Sequence, residues 1–326
     1  MTDSVMLTLL HLLRDGEFHS GEELGEALAV SRTAVWKQLQ KLGELGLECE
    51  SVRGRGYRLS APLELLNASR IADLAGVDPT LIQLEVVTDS TNAQLLSRSS
   101  TLRSGSFCIA EQQTAGRGRR GRQWISPFGS NLYLSGVWQF EGGAARLEGL
   151  SLAVGVCIAQ VLESFGFRGV QLKWPNDVLV DGRKLAGILL EMSGDPAGVC
   201  QVVVGVGVNV RMPSCAAQSI DQPWTDLASM SSEQGLESVG RNEMVASLVD
   251  ALSRLMVEFE RVGFARWRAA WLERAAFMGQ AVSLQTANSE IRGELIGVDG
   301  SGALTLRVGG EERLFYGGEV SVRAVS

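Results

Sequence analysis

The sequence predicts an α+β, multidomain chain in three units, and three observations point to that class. Apolar residues at helical spacing fill the first 45 positions or so and give way to two strand-like runs around a glycine-rich loop. A long middle region mixes strand runs with amphipathic helices. From about residue 281 the pattern changes to short alternating runs between glycine turns, which reads as a small all-β barrel. The length of 326 residues fits two or three domains at roughly 100–200 residues each.

In the first unit, Met6, Leu9, Leu10 and Leu13 share one helix face. Ser20 and Glu23 fit a capping box for a second helix, which turns Leu24 and Leu28 inward. Ala29-Val30 forms a tight turn, and Ser31 caps a third helix with Val35, Leu39 and Leu42 on one face. Leu47–Val52 and Tyr57–Leu59 then make a hairpin around Arg53-Gly54-Arg55-Gly56. Residues 61–69, with a proline, read as a connector. The middle region carries strand runs at Leu84–Val87, Phe107–Glu111, Leu132–Val137 and Gln201–Val206, and helices over 151–164 and 242–260. In the longer helix, Val245, Leu248, Val249, Leu252, Leu255, Met256 and Phe259 form a core stripe. The barrel runs are Val282–Leu284, Leu304–Leu306, Leu314–Tyr316 and Val320–Val322.

Composition excludes several classes. With 45% hydrophobic and 21% charged residues, bulk disorder is ruled out. No apolar run reaches the roughly 18 residues of a membrane span. The N-terminus has an early acid and no basic stretch or small-residue cleavage site, so a cytoplasmic chain without membrane attachment is expected. The two histidines, His11 and His19, both lie in the first 19 residues, so no Ser-His or Cys-His unit can be built downstream. Cys49, Cys108, Cys157, Cys200 and Cys215 are far apart with no C-x-x-C, which predicts buried reduced thiols and no protein metal site. A net charge of −7 argues against generic polyanion binding.

Positive charge is nevertheless sorted locally. Segment 31–41 carries Arg32, Lys37 and Lys41, and segment 51–60 carries Arg53, Arg55 and Arg58, with no acid in either. A helix-turn-helix sets its second helix in the major groove and a wing can touch phosphates beside it. Arg32, Thr33 and Trp36 are the candidate base or groove contacts, and Lys37, Arg53 and Arg55 the candidate phosphate contacts. A single module binds weakly, so a dimer on two half-sites is expected. An ordinary solvated face is the competing reading.

The densest chemical signal is Gly116-Arg117-Gly118-Arg119-Arg120-Gly121-Arg122-Gln123-Trp124. Its glycines fit G-x-G-x-x-G, but a dinucleotide turn must open a helix, and this one runs through Pro127 into the strand-like Leu132–Val137. A loop whose backbone and arginines enclose an anion is the better reading, because arginine stays charged and pairs bidentately with phosphate. A basic loop for nucleic acid fits the same run. Further on, Lys173-Trp174-Pro175-Asn176-Asp177 leads into a hairpin turning at Asp181-Gly182 and returning through Lys184 and Gly187. Gly205-Val206-Gly207-Val208-Asn209 puts glycines inside a β-branched run, a sign of close approach by a ligand or backbone.

GRGRRGR-x-W at 116–124, KWPND at 173–177, KLAGIL at 184–189 and GVGVN at 205–209, in that order, resemble a biotin–protein ligase. With the helix-turn-helix unit in front, the whole chain resembles the bifunctional biotin ligase and biotin operon repressor family. The resemblance implies a winged helix-turn-helix over 1–64, a central mixed-sheet α/β ligase domain over 65–272 and an SH3-like β-barrel over 273–326. It implies ATP-dependent activation of biotin to biotinyl-5′-AMP, with Mg2+ accompanying ATP, and transfer to a lysine of a biotin carboxyl carrier protein. Operator DNA and a ligand-induced homodimer are the further implied partners, with biotinyl-5′-AMP as corepressor. By motif match, Ser90, Thr91, Asn92, Gln113, Arg117, Gly118, Arg119, Lys184, Gly187, Gly205 and Gly207 fall at biotin-binding positions. Arg119, Arg120, Arg122, Trp124, Asn176, Asp177, Asn209, Trp224 and Arg323 fall at ATP or adenylate positions, with Lys184 and Arg119 as the catalytic pair. The loop 211–222 matches in length but barely in sequence.

Such a reaction needs no group titrating near neutrality. A carboxylate attacks the α-phosphorus, and the task is positioning and neutralising charge. The expectation is that Lys184 bridges the two anions, Arg119 assists, and loop 116–124 shields the adenylate. The loops at Gly142-Gly143 and 193–198 are expected to order with it and form a dimer face. A lipoate-type acyl-adenylating ligase and a ligand-sensing repressor without catalysis remain the alternatives.

Overall fold

The computed structural model describes residues 4–285, 289–317 and 321–324. The N-terminal unit contains α1 (Ser4–Leu13), α2 (Gly21–Ala27), α3 (Arg32–Glu44), β1 (Cys49–Val52) and β2 (Gly56–Leu59). Its local chemistry follows the sequence. Ser20 Oγ accepts from the Glu23 amide at 3.1 Å, and Glu23 Oε2 accepts from the Ser20 amide at 2.8 Å. Ala29 turns at φ 52°, and Ser31 caps α3. Leu9, Leu10, Leu13, Leu24, Val35 and Leu42 are buried together. The hairpin is strapped to the helices by His19, whose amide and carbonyl both pair with Tyr57, at 2.9 and 2.8 Å. Gly56 makes that approach possible: a Cβ there would overlap the His19 carbonyl.

The connector is shorter than 61–69 and is firmly held. Asn67 caps α4 (Ala68–Ala75), which begins inside the expected connector. Glu64 Oε2 accepts from the Arg241 amide at 2.6 Å, and Glu111 Oε1 from the Leu66 amide at 2.6 Å. Arg241 and Glu111 form a buried ion pair at 2.8 Å, and Arg241 also donates to the Asn131 carbonyl. Buried charges persist when they are paired and hydrogen-bonded in this way.

The central unit is a seven-stranded mixed sheet. Along the chain come β3 (Ile82–Thr88), α5 (Thr91–Leu96), β4 (Ser106–Gln113), β5 (Leu132–Phe140), α6 (Leu150–Ser164), β6 (Val170–Lys173), β7 (Asp177–Val180), β8 (Arg183–Gly194) and β9 (Cys200–Val208). Strand order is β3-β4-β5-β9-β8-β7-β6, with β3 and β4 parallel and the rest antiparallel. Then follow α7 (Ser214–Ala217), α8 (Leu227–Gln234), α9 (Arg241–Val262) and α10 (Arg268–Arg274). The expected stripe of α9 is buried throughout, and α6 packs beside it in the same core. The stretch Ala144–Ser164 is in fact long and apolar enough to cross a membrane, contrary to the sequence reading, yet it is mostly buried inside the fold. A helix that is apolar nearly all round is what a core position demands.

The C-terminal unit pairs β10 (Ala281–Gln285), β11 (Glu290–Val298), β12 (Leu304–Val308), β13 (Glu311–Phe315) and β14 (Ser321–Ala324) in the order β13-β12-β11-β10-β14, all antiparallel. A small all-β unit of antiparallel strands stands where the SH3-like barrel was expected, and among the described residues its strand pairings run in one open order. Strand β11 had no alternation signal because Gly293 and a bulge between Leu295 and Gly297 interrupt its period. Trp174 Nε1 donates to the Gly302 carbonyl at 3.1 Å, which ties this sheet to the central unit. Cysteine burial holds for Cys108, Cys157 and Cys200, but Cys215 is exposed and Cys49 half-buried. Cys215 sits on α7, a four-residue turn of helix with no buried residue.

Candidate active site

The site grows from missing side chains on β8 and β9. Gly187 pairs with Gly207, and Leu189 with Gly205, so three glycines clear one patch of the sheet. A Cβ at 207 would lie 2.5 Å from the Trp124 indole and one at 187 would lie 3.0 Å from it. A Cβ at 205 would overlap Asn92 Oδ1. The glycines therefore seat Trp124 and Asn92 directly on the sheet.

Above this patch is a cavity of about 380 Å3, within the range of small-molecule sites. At one end stand Ser90, Thr91, Asn92 and Gln113. Ser135 Oγ donates to Asn92 Oδ1 at 2.6 Å, and Gln113 Oε1 accepts from the Thr91 amide at 2.9 Å. From the arginine loop come Arg117, Gly118, Arg119, Arg120, Arg122 and Trp124. The hairpin adds Asn176, Asp177, Lys184 and Gly187, and the far side adds Asn209 and Trp224. Gly205 and Gly207 complete the floor. The structure thus brings every central-domain residue given a biotin or nucleotide position in the sequence to one cavity.

The loop is a narrow flap. The Trp124 amide donates to the Gly116 carbonyl at 2.9 Å, and the Gly118 amide to the Arg122 carbonyl at 2.7 Å. Its tip is the single turn Arg119–Gly121, with Arg120 at φ 59°, a strained conformation for a residue with a side chain. No helix follows, which disposes of the dinucleotide turn. Ser126 anchors the base, accepting from Gln113 Nε2 at 3.1 Å. Phe128 then inserts into the hydrophobic cluster of the N-terminal unit, a role no motif had signalled.

Cationic groups converge at the hairpin. Lys184 Nζ lies 2.6 Å from Asp177 Oδ1, and Lys173 Nζ lies 3.9 Å from Asp177 Oδ2. Lys184 also sits 5.4 Å from the Trp124 ring centroid, within cation–π range. Arg119 donates to Asn176 Oδ1 at 3.3 Å, while Asn176 Nδ2 donates to the Ile188 carbonyl at 2.8 Å. Burial lowers the Arg119 pKa, opposed by the Asp177 carboxylate and reinforced by Arg120. Asn176 and Asp177 thereby differ: Asn176 posts Arg119, and Asp177 orients Lys184. Among the described residues Trp124 Nε1 is buried without a hydrogen-bond partner, a donor suited to a bound acceptor. Lys173 had been noted only as part of the hairpin, and Met212, Ile220, Asp221 and Gln222 of the divergent loop also line the cavity. Backbone pairing explains Trp224: Lys184 N donates to the Pro223 carbonyl and Thr225 N to the Lys184 carbonyl. The Arg323 side chain lies outside the described residues, while its neighbour Val322 lines the cavity.

On the N-terminal unit, Arg32, Thr33, Trp36 and Lys37 are exposed along α3, and Arg53 and Arg55 are exposed in the wing. Arg55 stacks 4.1 Å from the Phe18 ring centroid. Arg58 does not add to this surface as its charge suggested, because Glu50 neutralises it at 2.7 Å.

Full-length similarity decides the family. The chain is 43% identical to the bifunctional ligase/repressor BirA of Salmonella typhimurium over 98% of both chains, and 42% identical to that of Escherichia coli over 99% of this chain and 98% of the other. The chain belongs to the biotin–protein ligase family. Residues 84–209 match the biotin/lipoate A/B protein ligase family, residues 5–58 an HTH domain and residues 277–323 the biotin protein ligase C-terminal domain. Among solved structures, the Aquifex aeolicus biotin protein ligase in complex with biotin and ATP is similar at a TM-score of 0.63 and 25% identity, over 75% of this chain and 99% of that one. In this biotin–protein ligase, the glycine patch, the flap and the hairpin all fall inside or beside the matched ligase segment.

Proposed function

We propose that Lys184 and the flap arginines carry the ligase reaction by clamping anions, with no proton relay. The protein activates biotin with ATP to biotinyl-5′-AMP, transfers the biotin to a lysine of a biotin carboxyl carrier protein, and represses transcription through its winged helix. The Lys184–Asp177 contact at 2.6 Å carries the reading, since it holds an ammonium ready in the cavity beside Arg119.

In the first step the biotin carboxylate attacks the α-phosphorus, the C–O–P linkage forms and pyrophosphate departs. Lys184 neutralises the carboxylate and the α-phosphoryl oxygens as they approach, and Arg119 follows the negative charge on the phosphoryl group. Preorganised donors of this kind are each worth roughly 10²–10³ in rate. Ser90, Thr91, Asn92, Gln113 and Arg117 hold the biotin ring end, Gly118, Gly187, Gly205 and Gly207 let it approach the backbone, and Trp124 covers it. Arg120, Arg122, Asn176, Asn209, Trp224 and Arg323 serve the nucleotide. Among the described residues no three His, Cys, Asp or Glu side chains cluster for a metal. Asp177 is paired with lysines and Asp221 is the other carboxylate among the described residues that lines the cavity, a sparse set that fits Mg2+ carried mainly on the triphosphate. When bound, that ion would offset phosphate charge.

We also propose units of 1–64, 65–272 and 273–326, a cytoplasmic setting, and a homodimer that forms with biotinyl-5′-AMP and sets two winged helices on one operator. The Ala144 amide donates to the Pro196 carbonyl at 2.9 Å, which supports the 142–143 and 193–198 loops acting together. Arg32, Thr33 and Trp36 would read the groove, and Lys37, Arg53 and Arg55 the phosphates. Biotin-dependent ATP–pyrophosphate exchange tests the ligase reading. Exchange with biotin supports it, exchange with lipoate alone selects a lipoate-type ligase, and biotin binding without exchange leaves a ligand-sensing repressor.

A further inference from the structure

Glu191 lies on β8 opposite Val203, just past the glycine patch, and no step above uses it. Its side chain is 22% exposed. Glu191 Oε2 accepts from Asn92 Nδ2 at 2.8 Å, and Oε1 lies 3.2 Å from the Arg117 guanidinium. One carboxylate therefore joins two groups that line the same end of the cavity from different elements, α5 and the flap.

We propose that Glu191 is a positioning residue for biotin, acting through Asn92. The argument rests on hydrogen-bond capacity. An ionised carboxylate only accepts, so it forces the NH2 of Asn92 toward itself. The second Asn92 N–H donates to the Leu189 carbonyl at 3.3 Å. Both donors are then committed, and Oδ1, which takes the Ser135 hydroxyl at 2.6 Å, keeps one lone pair. Asn92 can thus present only an acceptor to a ligand, which suits an N–H of a ureido ring and gives nothing to a dithiolane. The contact to Arg117 is the weaker half, because Arg117 is 46% exposed and water screens it. Asn92 is 3% exposed, so its amide depends on protein partners for its orientation.

This assignment rests on the ligase reading, and kinetics separate the two. In pyrophosphate exchange, Glu191→Ala should raise the biotin KM about tenfold, the effect expected of leaving a buried donor unmade. The ATP KM should stay within about twofold, and kcat at saturating biotin should be largely kept. Glu191→Gln retains an acceptor and should fall between Ala and wild type. In an Asn92→Ala background, Glu191→Ala should add nothing, since residues acting through one another are non-additive. An unchanged biotin KM in Glu191→Ala, a parallel rise in both KM values, or full additivity with Asn92→Ala would overturn the assignment. Absence of biotin-dependent exchange in the wild type would overturn the ligase reading and this assignment with it.

Discussion

The Lys184 ammonium is held 2.6 Å from the Asp177 carboxylate, with both side chains at least 85% buried, as their exposures of 15% and 13% record. The pairing gives the buried ammonium a counter-charge within hydrogen-bond distance. It also fixes the ammonium where two anions must meet. Asp177→Asn should therefore lower the exchange rate at saturating substrates by about ten- to a hundredfold, in line with the loss of one oriented donor. Biotin affinity by calorimetry should change little. A full-rate Asp177→Asn enzyme would remove Asp177 from the mechanism.

Neither histidine lines the cavity. Exchange should accordingly run without an inflection between about pH 6.5 and 8, the window in which histidine titrates. A pH profile of kcat checks this. A step in that window beyond the ionisation of ATP and pyrophosphate themselves would mean that a titrating protein group had been missed.

The glycine bed is sterically exact. Gly207→Ala would put a methyl group 2.5 Å from Trp124, and overpacking of this sort costs about 1–3 kcal/mol. The indole should be displaced, with biotin binding weakened about tenfold while circular dichroism stays that of the wild type. Unchanged binding would show that Trp124 does not cover the ligand.

Thiol chemistry separates the five cysteines. Burial pushes Cys108 and Cys157 up to about 12, which leaves them protonated and inert at neutral pH. Cys215 is exposed. Native titration with a thiol reagent should show a single fast thiol that Cys215→Ser removes. Fast reaction at Cys108 would contradict its burial.

The winged unit should be separable from the chemistry. Lys37→Ala and Arg53→Ala should each weaken operator binding and flatten its salt slope by about one, with exchange unchanged. Loss of exchange in either variant would couple that surface to catalysis directly.

Much of this was legible because the signals are local. Ser20 and Glu23 announce their cap within four residues, and Asp181-Gly182 announces the β7–β8 turn. The glycines of 205–209 signalled a close approach, expected of a ligand or backbone, and it is the Trp124 and Asn92 side chains that make it. What sequence could not reveal was pairing at a distance. Arg241 and Glu111 are 130 residues apart, Asn92 and Glu191 are 99 apart, and nothing near either member names its partner. The neutralisation of Arg58 by Glu50 was hidden for a related reason: charge counted along a segment ignores the strand opposite.

The most direct test of the cationic clamp is pyrophosphate exchange by Lys184→Gln, alongside its biotin binding and thermal unfolding. The clamp predicts exchange reduced to background, biotin still bound and the fold retained. Near-normal exchange in that variant would contradict the account.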